Sequence, residues 1–125
     1  MALRCLIVDD NAEFVGAARE LLQREGVEIV GAASTSADAV ARVEELRPDL
    51  ALVDVDLGEE SGFDLARLLV ARRGEVHVVL ISTYAEKDLE ELIAASPAVG
   101  FVSKRELSRH TIEALLGPNA SPGTR

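Results

Sequence analysis

Five short runs of apolar residues, Leu3–Val8, Val27–Ala32, Leu50–Val55, Val76–Ile81 and Val99–Val102, recur along the chain, and none keeps the two-residue alternation of a strand with one wet face. Strands of that kind need cover on both faces, which is the environment of a parallel sheet flanked by helices. The stretches between them have helical period. In the first, Phe14, Ala17, Ala18, Leu21 and Leu22 share a face and Gly26 stops the helix. In the second, Ser36 is placed to cap a helix through Leu46, and Pro48 breaks the pattern. Ser61 or Gly62 opens a third, which carries Phe63, Leu65, Leu68 and Leu69. A fourth is predicted near Glu86–Ala95, ended by Pro97, and a fifth near Glu106–Leu116, ended by Gly117-Pro118. Five strands in strict alternation with five helices define an α/β fold, a doubly wound parallel sheet.

Composition narrows the functions that such a sheet can serve. A chain of 125 residues makes one domain. Aromatic residues are 3% and Trp is absent, so Leu, Val, Ile and Ala must build the core. Thirteen basic against 22 acidic residues leave a formal charge of -9. That charge repels nucleic acid and anionic membranes and favours a cation or a cationic partner. Cys5 is the only cysteine, so no internal disulfide forms, as expected of a cytoplasmic protein. The N-terminal apolar run holds Arg4 and ends at two aspartates, too short for a signal peptide or a membrane span. His77 and His110 have neither a cysteine nor a tight spacing to make a zinc site. Residues 118–125 read as a flexible tail or the stub of a linker.

Ligands of doubly wound sheets bind at the carboxyl ends of the strands. Asp9 and Asp10 follow the first run, Asp54 ends the third, Asp56 stands two residues on, Ser82 and Thr83 end the fourth, and Lys104 lies just past the fifth. One rim therefore gathers several carboxylates, two hydroxyls and an amine. Two like charges 4 Å apart repel by about 4 kcal/mol at an effective dielectric near 20. Without compensation, one carboxylate would stay protonated near neutral pH. A Mg²⁺ ion removes that conflict, because it prefers oxygen ligands, takes one or two carboxylates and keeps waters for a substrate to replace. Metal, amine and hydroxyl together suit a phosphoryl group, and a carboxylate aimed at it can become an acyl phosphate.

These residues carry a resemblance. VDD at Val8–Asp10, LVDVDLGEESGFDL around Asp54, VVLIST ending at Thr83 and GFVSK ending at Lys104 resemble the receiver domain of two-component response regulators, over residues 3–116. The resemblance implies a flavodoxin-like sheet of strand order 2-1-3-4-5, with residues 1–117 as the receiver. It implies that Asp54 accepts phosphate from a histidine kinase or a histidine phosphotransfer protein. Asp9, Asp10 and Asp54 would hold Mg²⁺ (or Mn²⁺) with the backbone carbonyl of Asp56, and Lys104 would pair with the phosphoryl oxygens. Ser82 takes the hydroxyl position that moves towards the phosphate, and Phe101 the aromatic switch position. The protein so implied is a cytoplasmic, phosphorylation-dependent switch rather than an enzyme with turnover. It binds neither DNA nor membrane. Its output face, the fourth helix, fifth strand and fifth helix around Lys87, Glu91, Arg105 and Arg109, would meet a partner or, on phosphorylation, a second copy of the chain. A free-standing regulator is the expectation.

Three departures from the family pattern stand out. Gly58 replaces a Pro that receivers often carry four residues after the phosphoacceptor, which predicts a looser loop. Arg105 follows Lys104 where Pro is usual, which puts the frequent cis peptide there in doubt. Thr83 stands where Ala is common and narrows access to the phosphate. A rival reading is an aspartate-nucleophile phosphatase of the haloacid-dehalogenase type, since Asp54-Val55-Asp56 ends an apolar strand. Such enzymes place that motif near the N-terminus with an acidic pair later, and here the pair comes first. A nucleotide-binding module would need a Gly-rich first loop, and Asp9-Asp10-Asn11-Ala12-Glu13 would repel a pyrophosphate.

Overall fold

Each apolar run becomes a strand whose side chains alternate between two separate cores, which is why the runs show no polar face. The computed structural model describes residues 3–72 and 75–117. In chain order its elements are β1 (Arg4–Val8), α1 (Ala12–Arg24), β2 (Glu28–Ala33), α2 (Ser36–Leu46), β3 (Leu50–Asp54), β4 (Asp56–Leu57), β5 (Glu60–Ser61), α3 (Gly62–Arg72), β6 (His77–Ser82), α4 (Glu90–Ala94), β7 (Gly100–Ser103) and α5 (Arg109–Leu116). The main sheet runs β2-β1-β3-β6-β7 with every pair parallel. Counted over these five strands alone, the order is 2-1-3-4-5, a flavodoxin-like sheet. Leu6, Val8, Val53, Val78 and Leu80 point to a core closed by α2 and α3, through Ala39, Val43, Leu65 and Leu69. Cys5, Ile7, Leu52, Val79 and Ile81 point to the opposite core, closed by α1 and α5 through Ala18, Leu22, Ile112 and Leu116. The buried thiol of Cys5 is pushed well above its ordinary range by desolvation, so it is inert packing.

Local chemistry moved several boundaries. Thr35, rather than Ser36, caps α2, its hydroxyl accepting from Asp38 N. The fourth helix is split into a 3₁₀ turn at Glu86–Leu89 and the short α4. Ala85 precedes that turn with no side-chain cap, so its free donors tighten into 3₁₀ geometry. The fifth helix starts at Arg109 instead of Glu106, after a 3₁₀ turn at Lys104–Glu106. Ser108 sets that start through a capping box with Thr111, while Leu107 is drawn into the α1–α5 core. The peptide after Lys104 is trans. The predicted tail, 118–125, lies outside the described residues.

The segment after β3 is not the looser loop that Gly58 suggested. It folds as an antiparallel hairpin, β4 against β5, turned at Gly58 with φ +73°. A proline, fixed near φ −65°, could not sit there. Glu60 ties the hairpin to α2 by accepting from Ser36 N at 2.8 Å. Gly62 then brings α3 directly onto the end of β3. A Cβ at Gly62 would lie 1.9 Å from the Asp54 carbonyl oxygen and 2.7 Å from Val55 Cα, both backbone atoms that cannot yield. Gly62→Ala is therefore expected to lower stability by about 1–3 kcal/mol and to shift the Asp54 and Val55 amide resonances. Urea unfolding and an amide correlation spectrum check this, and a variant with wild-type stability and shifts would contradict it.

Candidate functional site

The rim predicted from strand ends is assembled by short hydrogen bonds that begin at β1. Asp9 N donates to Ala33 O, continuing the sheet ladder by one residue. Asp9 Oδ1 accepts from Asn11 N at 2.8 Å, and Asn11 Oδ1 caps α1 by accepting from Phe14 N. This turn buries Asp9, 2% exposed, and leaves Asp10 facing solvent. At the end of β3, Asp54 is 6% exposed, and its Oδ1 accepts from Asp56 N at 3.2 Å. Asp56 is exposed, and its carboxylate accepts from Gly58 N. Carboxylate oxygens of Asp9, Asp10 and Asp54 all lie within 4.8 Å of one another.

Lys104 closes this group from the start of the 3₁₀ turn that follows β7. Its Nζ is 2.7 Å from Asp9 Oδ2 and 3.3 Å from Asp54 Oδ2, and the side chain is 12% exposed. The Asp9 contact is close but poorly directed, so Asp9 Oδ2 is a buried oxygen without a well-aimed hydrogen bond. Burial alone would lower the Lys104 ammonium, but the Asp9 and Asp54 carboxylates outweigh it and hold it above its usual range. Burial pushes the Asp54 carboxyl up to about 6. The Asp9 charge adds to the rise, and the Asp56 N–H and the Lys104 ammonium oppose it. An all-oxygen donor set with one incompletely satisfied buried carboxylate fits a hard divalent cation such as Mg²⁺ or Mn²⁺.

Beside these groups a cleft of about 270 Å³ is lined by Asp10, Asp54, Asp56, Ser82, Thr83 and Lys104, among others. Ser82 is buried at the end of β6, and its Oγ accepts from Tyr84 N at 2.9 Å. Thr83 is exposed at the cleft mouth. Phe101 is 8% exposed, its ring turned inward among the α2–α3 core residues. A second, larger hollow of about 590 Å³ lies between the residues after β6, β7 and α5, lined by Tyr84, Glu86, Arg105 and His110. Lys87, Glu91 and Arg105 are exposed as expected. Arg109 is not on that face with them. It turns to the end of α1, where Nη1 donates to Glu25 O and the backbone N to Glu25 Oε1. The first residue of a capped helix has a free N–H, and Glu25 supplies the acceptor.

Residue reasoning missed one neighbour of the site. Phe14, expected only to pack, holds its ring under Lys104 with Nζ 4.4 Å from the centroid. The two residues are 90 positions apart, so no local pattern could pair them.

Comparison with known proteins agrees with this geometry. The profile of the response regulator receiver domain matches residues 5–116, and the chain belongs to that family. It is 30% identical over 113 residues to the DNA-binding transcriptional activator EvgA of Escherichia coli, covering 90% of this chain and 55% of that protein. It is 32% identical over 101 residues to the transcriptional regulatory protein PdtaR of Mycobacterium tuberculosis, covering 81% of this chain and 49% of that protein. The chain thus spans about half the length of these curated relatives. A CheY-like receiver from Methanospirillum hungatei superposes with a TM-score of 0.77 at 25% identity, over 92% of this chain and 91% of the other. The signal receiver domain of NarL from Mycobacterium tuberculosis shares the fold with a TM-score of 0.80 at 24% identity, over 93% of this chain and 98% of the other. Receiver domains bind Mg²⁺ at an acidic pocket, and this chain has the aspartate cluster. The haloacid-dehalogenase alternative is not supported. No described helix is long and apolar enough to cross a membrane.

A raised carboxyl sets the direction of a pH effect. Unfolded Asp ionises near pH 4, and in the folded, metal-free chain burial pushes the Asp54 carboxyl up to about 6. Between those values the unfolded state holds fewer protons, so stability falls as pH rises through that window. In chelator, Asp54→Asn should abolish this fall and raise stability at pH 7 by about 1–2 kcal/mol, a figure reduced because the carboxyl borders a wet cleft. Urea unfolding at pH 4.5 and pH 7 reads it, and an Asp54→Asn variant with the wild-type pH slope would contradict it.

Proposed function

We propose that Asp54 is the phosphoacceptor of this receiver and that a histidine kinase or histidine phosphotransfer protein is the donor. The observation that carries the reading is the placement of Asp54. It is a buried carboxyl at the end of β3 that opens on a cleft, 3.3 Å from Lys104 and clustered with Asp9 and Asp10. A carboxylate oxygen of Asp54 attacks phosphorus as the bond from phosphorus to the donor nitrogen breaks. The electron pair leaves with the imidazole, and Asp54 becomes an acyl phosphate. Mg²⁺ would be held by Asp9, Asp10 and Asp54 with the Asp56 carbonyl, and when bound it supplies charge neutralisation for the phosphoryl oxygens. The protein's own groups do the rest. Asp56 N–H orients the Asp54 carboxylate, Lys104 balances the negative charge that arrives, and Thr83 narrows the cleft mouth. The reaction is self-phosphorylation and its reversal, so the chain acts as a switch.

The switch would run through Ser82 and Phe101. Ser82 Oγ accepts from Tyr84 N and keeps its own proton to donate to a phosphoryl oxygen. Moving towards that oxygen repositions Tyr84 and the residues before α4. Because Phe101 is already turned inward, the ring needs little persuasion, and phosphorylation shifts a population rather than creating a new state. The face along α4, β7 and α5 is the output surface, read by a partner or a second copy of the chain.

Acetyl phosphate with Mg²⁺ should add one phosphoryl group to the wild type and none to Asp54→Asn, by intact mass. Asp10→Ala should lose most labelling through weakened metal affinity while keeping its metal-free stability, because a ligand and a like-charge repulsion go together. Equal labelling of wild type and Asp54→Asn would refute the assignment. Beryllofluoride, which mimics the phosphoryl group, should shift amides in residues 82–94 and 100–103 as well as at the rim. Shifts confined to the loops holding Asp10, Asp54 and Lys104 would exclude the relay.

A further inference from the structure

The Lys104 ammonium has three N–H groups and no acceptor of its own. Two carboxylate oxygens lie beside it, Asp9 Oδ2 at 2.7 Å and Asp54 Oδ2 at 3.3 Å. The Phe14 ring takes the remaining side, with Nζ 4.4 Å from its centroid, well inside the roughly 6 Å reach of a cation–π contact. The contact is largely desolvated, since the Lys104 side chain is 12% exposed. The placement of Phe14 follows from the same turn that places Asp9. Asn11 N donates to Asp9 Oδ1, Asn11 Oδ1 accepts from Phe14 N, and the half-buried ring rests on the α1–α5 core. The carboxylate and the ring that flank the amine are therefore set by one capped turn.

We propose that Phe14 is a positioning residue, whose ring face holds the Lys104 ammonium over the gap between Asp9 and Asp54 so that it is aimed at the group arriving on Asp54. The inference rests on the phosphoacceptor reading of Asp54. When Asp54 is modified, Lys104 exchanges its Asp54 contact for a phosphoryl oxygen. Its contacts with Asp9 and the ring need no exchange and act as a pivot. Without the ring, the long lysine stem regains rotamers and water takes the third N–H, so fewer molecules present the amine correctly.

The test compares Phe14→Leu and Phe14→Met, which fill the space without a ring, with Phe14→Tyr, which keeps one. In metal-free protein, the Lys104 Hε resonances should be shifted upfield by the ring current in wild type and Phe14→Tyr, and return to ordinary values in the other two. Labelling of Asp54 by acetyl phosphate should slow about three- to thirtyfold in Phe14→Leu and Phe14→Met, the range spanned by one cation–π contact between exposed and desolvated settings. Phe14→Tyr should stay near wild type. In a Lys104→Met background, Phe14→Leu should cost nothing further, since Phe14 acts through the amine. Equal slowing with and without Lys104 would overturn the proposal and leave Phe14 as packing. Wild-type rates in both ringless variants would overturn it too. A wild type that takes no label on Asp54 would sink the phosphoacceptor reading instead, and the Hε shift separates that failure from this one because it reads the contact without phosphorylation. Ordinary Hε values in wild type would remove the contact itself.

Discussion

Carboxylates of Asp9, Asp10 and Asp54 converge within 4.8 Å at one end of the sheet, and Lys104 reaches two of them from the far side. That cluster is costly in isolation, because like charges at such separations repel by several kcal/mol where water is scarce. The fold offsets the cost unevenly. Asp9 is given the closest approach to the amine, whereas Asp54 has a longer contact and one backbone donor, and its carboxyl is pushed up to about 6. The rim therefore carries more negative charge than the Lys104 ammonium alone offsets. A core of aliphatic side chains holds the strands rigid beneath it. The rim keeps its geometry because the ladder leaves Asp9 and Asp54 little freedom.

Rigid and adjustable parts are divided by how they are bonded. Asp9 just past β1 and Asp54 at the end of β3 stand at the point where strand order reverses, held by the ladder and by bonds from Asn11 N and Asp56 N. The side reached through Ser82 is looser. Ser82 accepts a single bond from Tyr84 N, and the chain beyond it is a 3₁₀ turn and a five-residue helix without a side-chain cap. Few of its side chains are buried, so local rearrangement there breaks little packing. The hairpin after Asp54 belongs to the rigid half, pinned by Gly58, by Glu60 on Ser36 N, and by the approach of Gly62 to the Asp54 carbonyl.

The five strands and their layered helices were legible in the sequence because parallel strands covered on both sides leave dense Val, Ile and Leu runs, and because helices on a sheet repeat every three to four residues. The site residues were legible for a related reason. A charged residue that ends such a run has no packing role, and topology sends every run end to one rim. Where the reading failed, a local competition decided. Ser108 outbid Glu106 for the start of the fifth helix by capping it with Thr111, and an uncapped Ala85 let the fourth helix tighten and split. Gly58 looked like slack, yet its positive φ is what a tight hairpin turn requires.

The order of elements, the acidic rim and the identity of its carboxylates, hydroxyls and amine were determined by the sequence alone, since each depends on side-chain character within a few residues of a strand end. What only the tertiary structure decided are the contacts between residues far apart in the chain. Lys104 lies nearer to Asp9 than to Asp54, although both are strand-end aspartates. Arg109 faces Glu25 rather than the surface around Arg105, because helix α5 packs beside the end of α1. Phe14 meets Lys104 across 90 residues because α1 and β7 flank the same cleft. Such pairings depend on how two elements are rotated about their axes once packed. Hydrophobic periodicity fixes which face of a helix is buried, but not which side chain of a neighbouring element stands opposite it.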